Sequence, residues 1–306
     1  MPSISPQVTA ALSQISGVPI TVYDSEGAVD AARSAGIAAR IASAGVRNVI
    51  AAGNTGEFFS LAFDEVRRLQ AAVIEGVGGS ALVTAAVGRS LTEAKALTSA
   101  ATADGAGAVM VHWPADPFAG PAQKIDYFLR IADHAQIPVV AYLRSDEAAV
   151  ADLVRLAGHP NLVAIKYATT NMMQFAEAIR ATRHCDAIWV CGLAEGWAPP
   201  FYALGARGFT SGLVNVFPEI SLAVYAALEA GDYPKARAEI DRIVGFEQMR
   251  TLYNNGANVT VVKEALALLG EATGPVRLPG VPRLTTDERA RLAQIVGNVS
   301  AKALAS

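Results

Sequence analysis

Short apolar runs recur along the chain, and each is followed by a longer stretch in which apolar residues return at helical spacing. The runs are nearly continuous in Val, Ile, Ala and Leu, which is typical of parallel strands that helices cover on both faces. We predict eight strands, at Val18–Tyr23, Asn48–Ala52, Ala81–Ala86, Ala108–His112, Pro138–Tyr142, Leu162–Lys166, Ile188–Cys191 and Gly208–Ser211. The pattern therefore predicts a parallel sheet.

Helices are predicted between these strands, at Ala31–Ala44, Phe63–Val77, Leu91–Asp104, Ala122–Ala135, Asp146–Leu156, Asn171–Thr182 and Trp197–Leu204. Alternation of strand and helix with this period is typical of the α/β class and of a (β/α)₈ TIM barrel. An open doubly wound sheet is the alternative. It would carry a glycine-rich phosphate turn after its first strand, and TVYDSEGAVD contains no GxGxxG. The barrel is favoured.

The strand pattern stops near Asn215, and the remaining chain is predicted to be a C-terminal helical appendage that ends in a helix at Thr286–Val296. We therefore predict a catalytic barrel domain at residues 1–214 and a helical subdomain at residues 215–306. No independent catalytic domain is expected in the second part.

Composition narrows the class of protein. The chain has 306 residues, of which 52% are hydrophobic, and a net charge of −3, so it is expected to fold around a large core and not to bind nucleic acid. Apolar runs are too short for a membrane span, and the first residues lack a secretory signal, so a cytoplasmic protein is expected. Cys185, Cys191 and the four histidines show no metal-ligand spacing, so no metal is expected.

Two polar residues end neighbouring apolar strands. In a barrel the active site lies where the strands end, so these residues are candidates for chemistry. Lys166 ends LVAIK, where dehydration would favour a neutral, nucleophilic amine; the alternative is a lysine that extends to solvent. Tyr142 ends the preceding strand and is a candidate for proton transfer; the alternative is a tyrosine at the rim.

A turn of small residues, Gly53-Asn54-Thr55-Gly56-Glu57, follows the second predicted strand. Its backbone N–H groups, with the Asn54 or Thr55 side chain, are candidates for binding a carboxylate. The alternative is an ordinary turn in which Thr55 or Glu57 caps the next helix, and Glu57 is expected to be structural.

These motifs occur in the order AAGNTGEFFSL, Tyr142, Lys166 and GPVRLP. In that order and spacing, the chain resembles the dihydrodipicolinate synthase/N-acetylneuraminate lyase superfamily of Schiff-base aldolases and dehydratases, from about Gly17 to Val296. GEFFSL, Tyr-x-Arg at Tyr142–Arg144 and GPVR at Gly274–Arg277 are most similar to the 5-dehydro-4-deoxyglucarate dehydratase branch.

The resemblance implies roles for these residues. Lys166 would form an imine with a 2-oxo acid without a cofactor, Tyr142 would relay protons, and Gly53, Asn54 and Thr55 would hold the carboxylate. Ser211, in a serine-containing turn after the eighth strand, would contact substrate. The resemblance also implies a homodimer or homotetramer.

The chain departs from the synthases of lysine biosynthesis. Their threonine pair, tyrosine relay and dicarboxylate-binding arginine are replaced by Asn54-Thr55, His112-Trp113 and Glu147. The dehydratase branch is not matched fully either, because its acidic residue after the lysine is Tyr167 and its asparagine beside the tyrosine is Leu143. A sugar acid other than the branch's own remains open.

We therefore expect a Schiff-base lyase that removes water from a 3-deoxy-2-oxo sugar acid, with or without loss of CO₂. Arg144 is the candidate for the distal carboxylate, because a guanidinium can bind it through two hydrogen bonds; the alternative is a solvated loop arginine. A pyruvate-dependent aldolase and a non-catalytic barrel that binds a keto acid remain as alternatives.

Overall fold

The computed structural model describes residues 5–303, and in it eight parallel strands close into a barrel in chain order, with β8 beside β1. The strands are β1 Ile15–Gly17, β2 Asn48–Ala51, β3 Leu82–Val87, β4 Ala108–Val111, β5 Val139–Leu143, β6 Leu162–Tyr167, β7 Ile188–Cys191 and β8 Phe209–Ser211. Nearly every strand residue is buried, as expected for strands covered on both faces. The predicted barrel is confirmed, and the doubly wound alternative is wrong.

One helix precedes the first strand, and the others connect the strands or follow the last one. They are α1 Pro6–Leu12, α2 Ala31–Ser43, α3 Phe63–Val77, α4 Leu91–Ala103, α5 Pro121–His134, α6 Val150–Ala157, α7 Met172–Thr182, α8 Ala198–Leu204, α9 Pro218–Glu229, α10 Tyr233–Asp241, α11 Val244–Arg250, α12 Asn258–Leu268 and α13 Thr286–Ala303. No helix within residues 5–303 is long and apolar enough to cross a membrane.

The first strand lies three residues before its predicted start. The structure has β1 at Ile15–Gly17, while the apolar run Val18–Tyr23 is buried but irregular. Pro19 has no N–H to give to a ladder, and the amide of Ile20 donates to the side chain of Asn215 at 3.0 Å. The prediction was wrong because burial of this run comes from packing over the barrel mouth and not from sheet pairing.

Two helices also differ from prediction. The helix expected at Asp146–Leu156 begins at Val150. The carbonyls of Asp146 and Ala148 accept hydrogen bonds from the Gln174 side chain and not from a helical turn of their own. The last helix extends beyond Val296 to Ala303. The remaining predicted helices agree within about a residue, as expected where Ser90, Asp30 and Asn171 cap helix starts.

The predicted boundary between residues 214 and 215 stays a prediction. Helix α9 follows β8 as α2 follows β1, so it occupies the position of the eighth barrel helix. Residues 1–4 and 304–306, at the outer ends of the two predicted domains, lie outside the described residues.

One end of the barrel interior is closed by a polar layer. Asn48 donates to the Ser16 hydroxyl and accepts from the Thr84 hydroxyl, each at 2.8 Å. All three side chains are buried and satisfy one another, which removes the cost of burying them unpaired. The strands run from this layer to the opposite mouth, where the candidate site lies.

Candidate active site

A cavity of about 660 Å³ opens at the carboxyl ends of the strands. Its wall contains residues that follow β2, β5, β6, β7 and β8, and residues of α10, α11 and α12 with the loop between the last two. Six of the seven candidates from the sequence, all but Gly53, line it: Asn54, Thr55, Tyr142, Arg144, Lys166 and Ser211. Strand ends that are far apart in sequence therefore meet at one mouth, as the barrel predicts.

Lys166 lies inside the barrel near the end of β6 and is 5% exposed. The ion-paired lysines of the described chain are Lys124 and Lys263, so no carboxylate neutralises this amine there. Burial lowers the pKa of the Lys166 amine to about 7, and the positive charge of Arg144 adds to the effect. A large fraction of the amine is therefore neutral near pH 7, as a nucleophile requires.

Tyr142 lies directly beside Lys166, because the two residues are register partners on β5 and β6. The Lys166 Nζ lies 3.8 Å from the centroid of the Tyr142 ring. Burial raises the pKa of the Tyr142 hydroxyl, while Arg144 and a hydrogen bond from Asn54 act in the opposite direction. The phenol therefore keeps its proton at neutral pH and can donate it.

The turn after β2 lines the cavity with Asn54 and Thr55. Asn54 Nδ2 donates to the Tyr142 hydroxyl at 3.2 Å, so this asparagine orients the phenol. Within residues 5–303, the amides of Thr55 and Gly56 have no hydrogen-bond acceptor. Gly53 lies behind them, where a β-carbon would stand 2.6 Å from a methyl of Val18. The turn can therefore donate N–H groups to an anion.

Arg144 and Ser211 occupy different environments. Arg144 is exposed at the rim, two residues beyond Tyr142. The buried Ser211 hydroxyl donates to Glu195 Oε1 at 2.5 Å and accepts from the amide of Val214. Its proton is therefore directed into the protein, and substrate contact by Ser211 stays a prediction.

Glu195 is a buried carboxylate behind Ser211 that the sequence analysis did not identify. The Ser221 hydroxyl also donates to its Oε1, at 2.6 Å. Burial and the charge of Glu247 raise the pKa of Glu195 to about 6, against the effect of the two hydroxyls. This network fixes the turn after β8 against α9.

His112 stands at the position where the sequence comparison with the synthases of lysine biosynthesis places a relay tyrosine. Its ring stacks on Phe58 at 4.3 Å between centroids and lies 5.7 Å from the Tyr142 ring. Burial lowers the pKa of His112 to about 3, so the ring is neutral. Neither ring nitrogen makes a hydrogen bond of normal geometry within residues 5–303. His112 therefore acts as a packing wall for the phenol.

Glu57 forms a buried ion pair with Lys263 of α12, with 2.6 Å between the charged atoms and 3% of each side chain exposed. The backbone amide of Arg277 also donates to Glu57, and the Arg277 guanidinium binds both oxygens of Glu65 at 2.7 and 2.8 Å. The GPVR segment therefore joins the turn after β2 to α3 and α12. Glu57 also lines the cavity, but its charge is neutralised by this pair with α12.

The helices after β8 supply more of the cavity wall than the sequence analysis expected. Arg250, Glu247 and Asn258 line the cavity together with Lys166. A signal for Arg250 is present in the sequence, because it follows Phe246 by four residues on the buried face of α11. A charged residue at an apolar position of a helix indicates a buried ionic contact.

Within residues 5–303, no group of three His, Cys, Asp or Glu side chains is arranged to hold a metal ion. Cys185 and Cys191 are free thiols, and Cys191 is buried.

The sequence model of the Dihydrodipicolinate synthetase family matches residues 11–299. A 4-hydroxy-tetrahydrodipicolinate synthase from Methanosphaerula palustris is 34% identical over 261 residues, which are 84% of this chain and 88% of that protein. A probable 5-dehydro-4-deoxyglucarate dehydratase from Xanthomonas campestris pv. campestris is 29% identical over 286 residues, which are 91% of this chain and 92% of that protein.

The structure is similar to solved members of the same group. The crystal structure of dihydrodipicolinate synthase from Bacillus clausii matches with a TM-score of 0.92 at 36% sequence identity, over 96% of this chain and 99% of that chain. The similarity covers the barrel and the helices that follow it.

Proposed function

This chain belongs to the dihydrodipicolinate synthetase family, and from that membership we propose that it is a lyase that binds a 2-oxo acid as an imine on Lys166. Within that class we propose a dehydratase that acts on a 3-deoxy-2-oxo sugar acid, of the 5-dehydro-4-deoxyglucarate dehydratase type. The imine itself accepts the electrons, so this chemistry uses no external cofactor.

The observation that carries the proposal is the state of Lys166. The amine is buried, has a pKa of about 7 and lies against the face of Tyr142 in a cavity large enough for a sugar acid. A lysine with only a structural role at a strand end has no need of a neutral amine. Perturbed groups in a cleft are typical of catalytic sites.

The reaction begins when the neutral Lys166 amine adds to the C2 ketone, and loss of water from the resulting carbinolamine gives an iminium. A C3 proton then leaves to a base, and the enamine that forms expels the C4 hydroxyl, which takes a proton and leaves as water. Tyr142 is the proposed group for these proton transfers: its phenol protonates the carbinolamine hydroxyl that leaves, the phenolate so formed takes the C3 proton, and the restored phenol gives a proton to the C4 hydroxyl. Hydrolysis of the imine releases the product, so the net change is the loss of one water.

Loss of CO₂ can follow in the same site. After dehydration the C3–C4 double bond is conjugated with the iminium, which can accept the electron pair released when the distal carboxylate leaves. Arg144 is the proposed partner of that carboxylate, since it stands at the rim beside Tyr142.

A pyruvate-dependent aldolase or synthase is the second candidate, because the synthase relatives reach 34% identity and the dehydratases 29%. Two features favour the dehydratase. Glu147 occupies the position of the dicarboxylate-binding arginine and pairs with Lys124 at 3.3 Å. His112 is packed and neutral where those synthases have a relay tyrosine.

Reductive trapping tests the proposal. The protein is incubated with pyruvate or with candidate 3-deoxy-2-oxo acids, reduced with borohydride and digested, and the added mass is expected on the peptide that carries Lys166. Lys166→Met should abolish the adduct, whereas Lys124→Met, which removes another buried lysine outside the cavity, should keep it. A wild-type protein without this adduct would favour the non-catalytic barrel.

Product analysis then separates the two lyase reactions, because a dehydratase releases water and an aldolase releases pyruvate. We also propose a homodimer or homotetramer, which light scattering tests.

A further inference from the structure

Three cationic side chains line the cavity: Lys166, Arg144 and Arg250. The proposed function uses the first two. Arg250 ends α11 and is 5% exposed, much less than Arg144 at the rim. An arginine this deeply buried beside a cavity for an acidic substrate requires an explanation.

The guanidinium of Arg250 makes hydrogen bonds through some of its N–H groups and leaves others without an acceptor. Its Nη1 donates to Glu247 Oε1 at 2.7 Å, and its Nη2 donates to Asn258 Oδ1 at 2.9 Å. Within residues 5–303, Nε has no hydrogen-bond partner, and Nη2 has a second N–H. The edge that carries Nε and Nη2 therefore holds donors without an acceptor; Nε is buried, so Nη2 is the atom of this edge that is placed to meet a carboxylate oxygen.

Gly212, directly after β8, lets this edge approach the turn after β2. A β-carbon on Gly212 would stand 2.7 Å from Arg250 Nη2 and 3.3 Å from Thr55 Oγ1. The backbone of Gly212 has φ −91° and ψ −19°, which any residue adopts, so the glycine is needed for space and not for conformation. The guanidinium and the Thr55 hydroxyl thus flank the same point.

We propose that Arg250, together with the hydroxyl and the free amide of Thr55, binds the carboxylate next to the ketone of a 2-oxo acid. This inference rests on the proposed function. The turn alone offers neutral donors, and Arg250 adds a charged, buried one, where charge-assisted hydrogen bonds are strong. Arg144 is then left for a carboxylate at the other end of the substrate. The helices after β8 thus supply a substrate-binding residue.

Pyruvate tests the assignment, because its single carboxylate is the one next to the ketone. Arg250→Gln and Gly212→Ala should each raise the pyruvate concentration that half-saturates trapping on Lys166 by roughly 10- to 100-fold, while the adduct at saturation stays near complete. Arg250→Lys should fall between them and wild type, since an ammonium lacks the paired donors.

Two matched controls should leave half-saturation unchanged. Arg242→Gln removes an arginine that pairs with Glu239 three residues away, outside the cavity. Gly245→Ala adds a methyl that meets Ile295 at an ordinary 3.4 Å. Thermal unfolding verifies that each variant is folded; if Arg250→Gln is not, Gly212→Ala and Arg250→Lys decide the result.

Calorimetry separates this inference from the proposed function. Lys166→Met cannot form an imine, yet it should bind pyruvate noncovalently, and adding Arg250→Gln should weaken that binding by the same factor. Binding of this kind without any wild-type adduct would refute the imine and retain the carboxylate site. Half-saturation within threefold of wild type in the folded Arg250 and Gly212 variants, or a loss confined to dicarboxylic acids, would overturn the assignment.

Discussion

Replacing Arg144 with glutamine should move the pH dependence of imine formation to higher pH. The pKa of Lys166 is lowered first by burial and second by the charge of Arg144. At a pKa of about 7, about half of the amine is neutral at pH 7, whereas an ordinary lysine at 10.5 would be neutral in roughly one molecule in three thousand. Loss of the Arg144 charge removes one of the two causes, so the pKa rises.

The assay is the initial rate of borohydride trapping with limiting pyruvate between pH 5 and 10. The wild-type rate should rise through an inflection near pH 7. Arg144→Gln should shift that inflection upward, and Arg144→Lys, which keeps the charge, should shift it less. Pyruvate has no distal carboxylate, so a loss of binding at that end of the substrate does not affect the measured trapping rate. A wild-type inflection near pH 10, or one that Arg144→Gln leaves in place, contradicts the reasoning.

Three further substitutions test other parts of the site. Tyr142→Phe should still form the imine but lower kcat roughly 10²- to 10⁴-fold, and an unchanged kcat would exclude the phenol from proton transfer. Lys263→Met leaves the buried Glu57 charge unpaired and should lower the free energy of unfolding by about 3–5 kcal/mol; adding Glu57→Gln should restore part of it, and urea denaturation of all four proteins measures the coupling. Ser211→Ala should cost about 1–3 kcal/mol because Glu195 loses a donor. The raised pKa of Glu195 means that the folded protein holds this proton more tightly, so stability falls as pH rises from about 4.5 to 6, and the variant should lose more stability at pH 8 than at pH 5.

The barrel and the positions of Lys166 and Tyr142 follow from local pattern plus one topological rule. Each apolar run ended by a polar residue is visible in the sequence, and closing a parallel barrel brings all such ends to one mouth. The roles of these two residues stay predictions. The first strand was misplaced because Pro19 interrupts the longest apolar run near the start, and period alone does not separate a buried strand from a buried irregular segment.

Arg250 and Glu195 were missed for a different reason. The hydrogen-bond partners of Arg250 are near it in sequence, but no local spacing connects Arg250 with Gly212 or Glu195 with Ser221. In a sequence, a charged residue on an apolar helix face indicates a buried contact but does not identify the partner residue. Such pairs become visible when the chain is folded.

The Glu57–Lys263 pair constrains any exchange of parts between relatives. A chimaera that joins this barrel to the last helices of another member must bring a cation to position 263, or it buries a carboxylate alone under the mouth. The safe crossover therefore lies where position 57 and position 263 come from one parent. Recombination libraries built on this scaffold should treat the two positions as a single inherited unit.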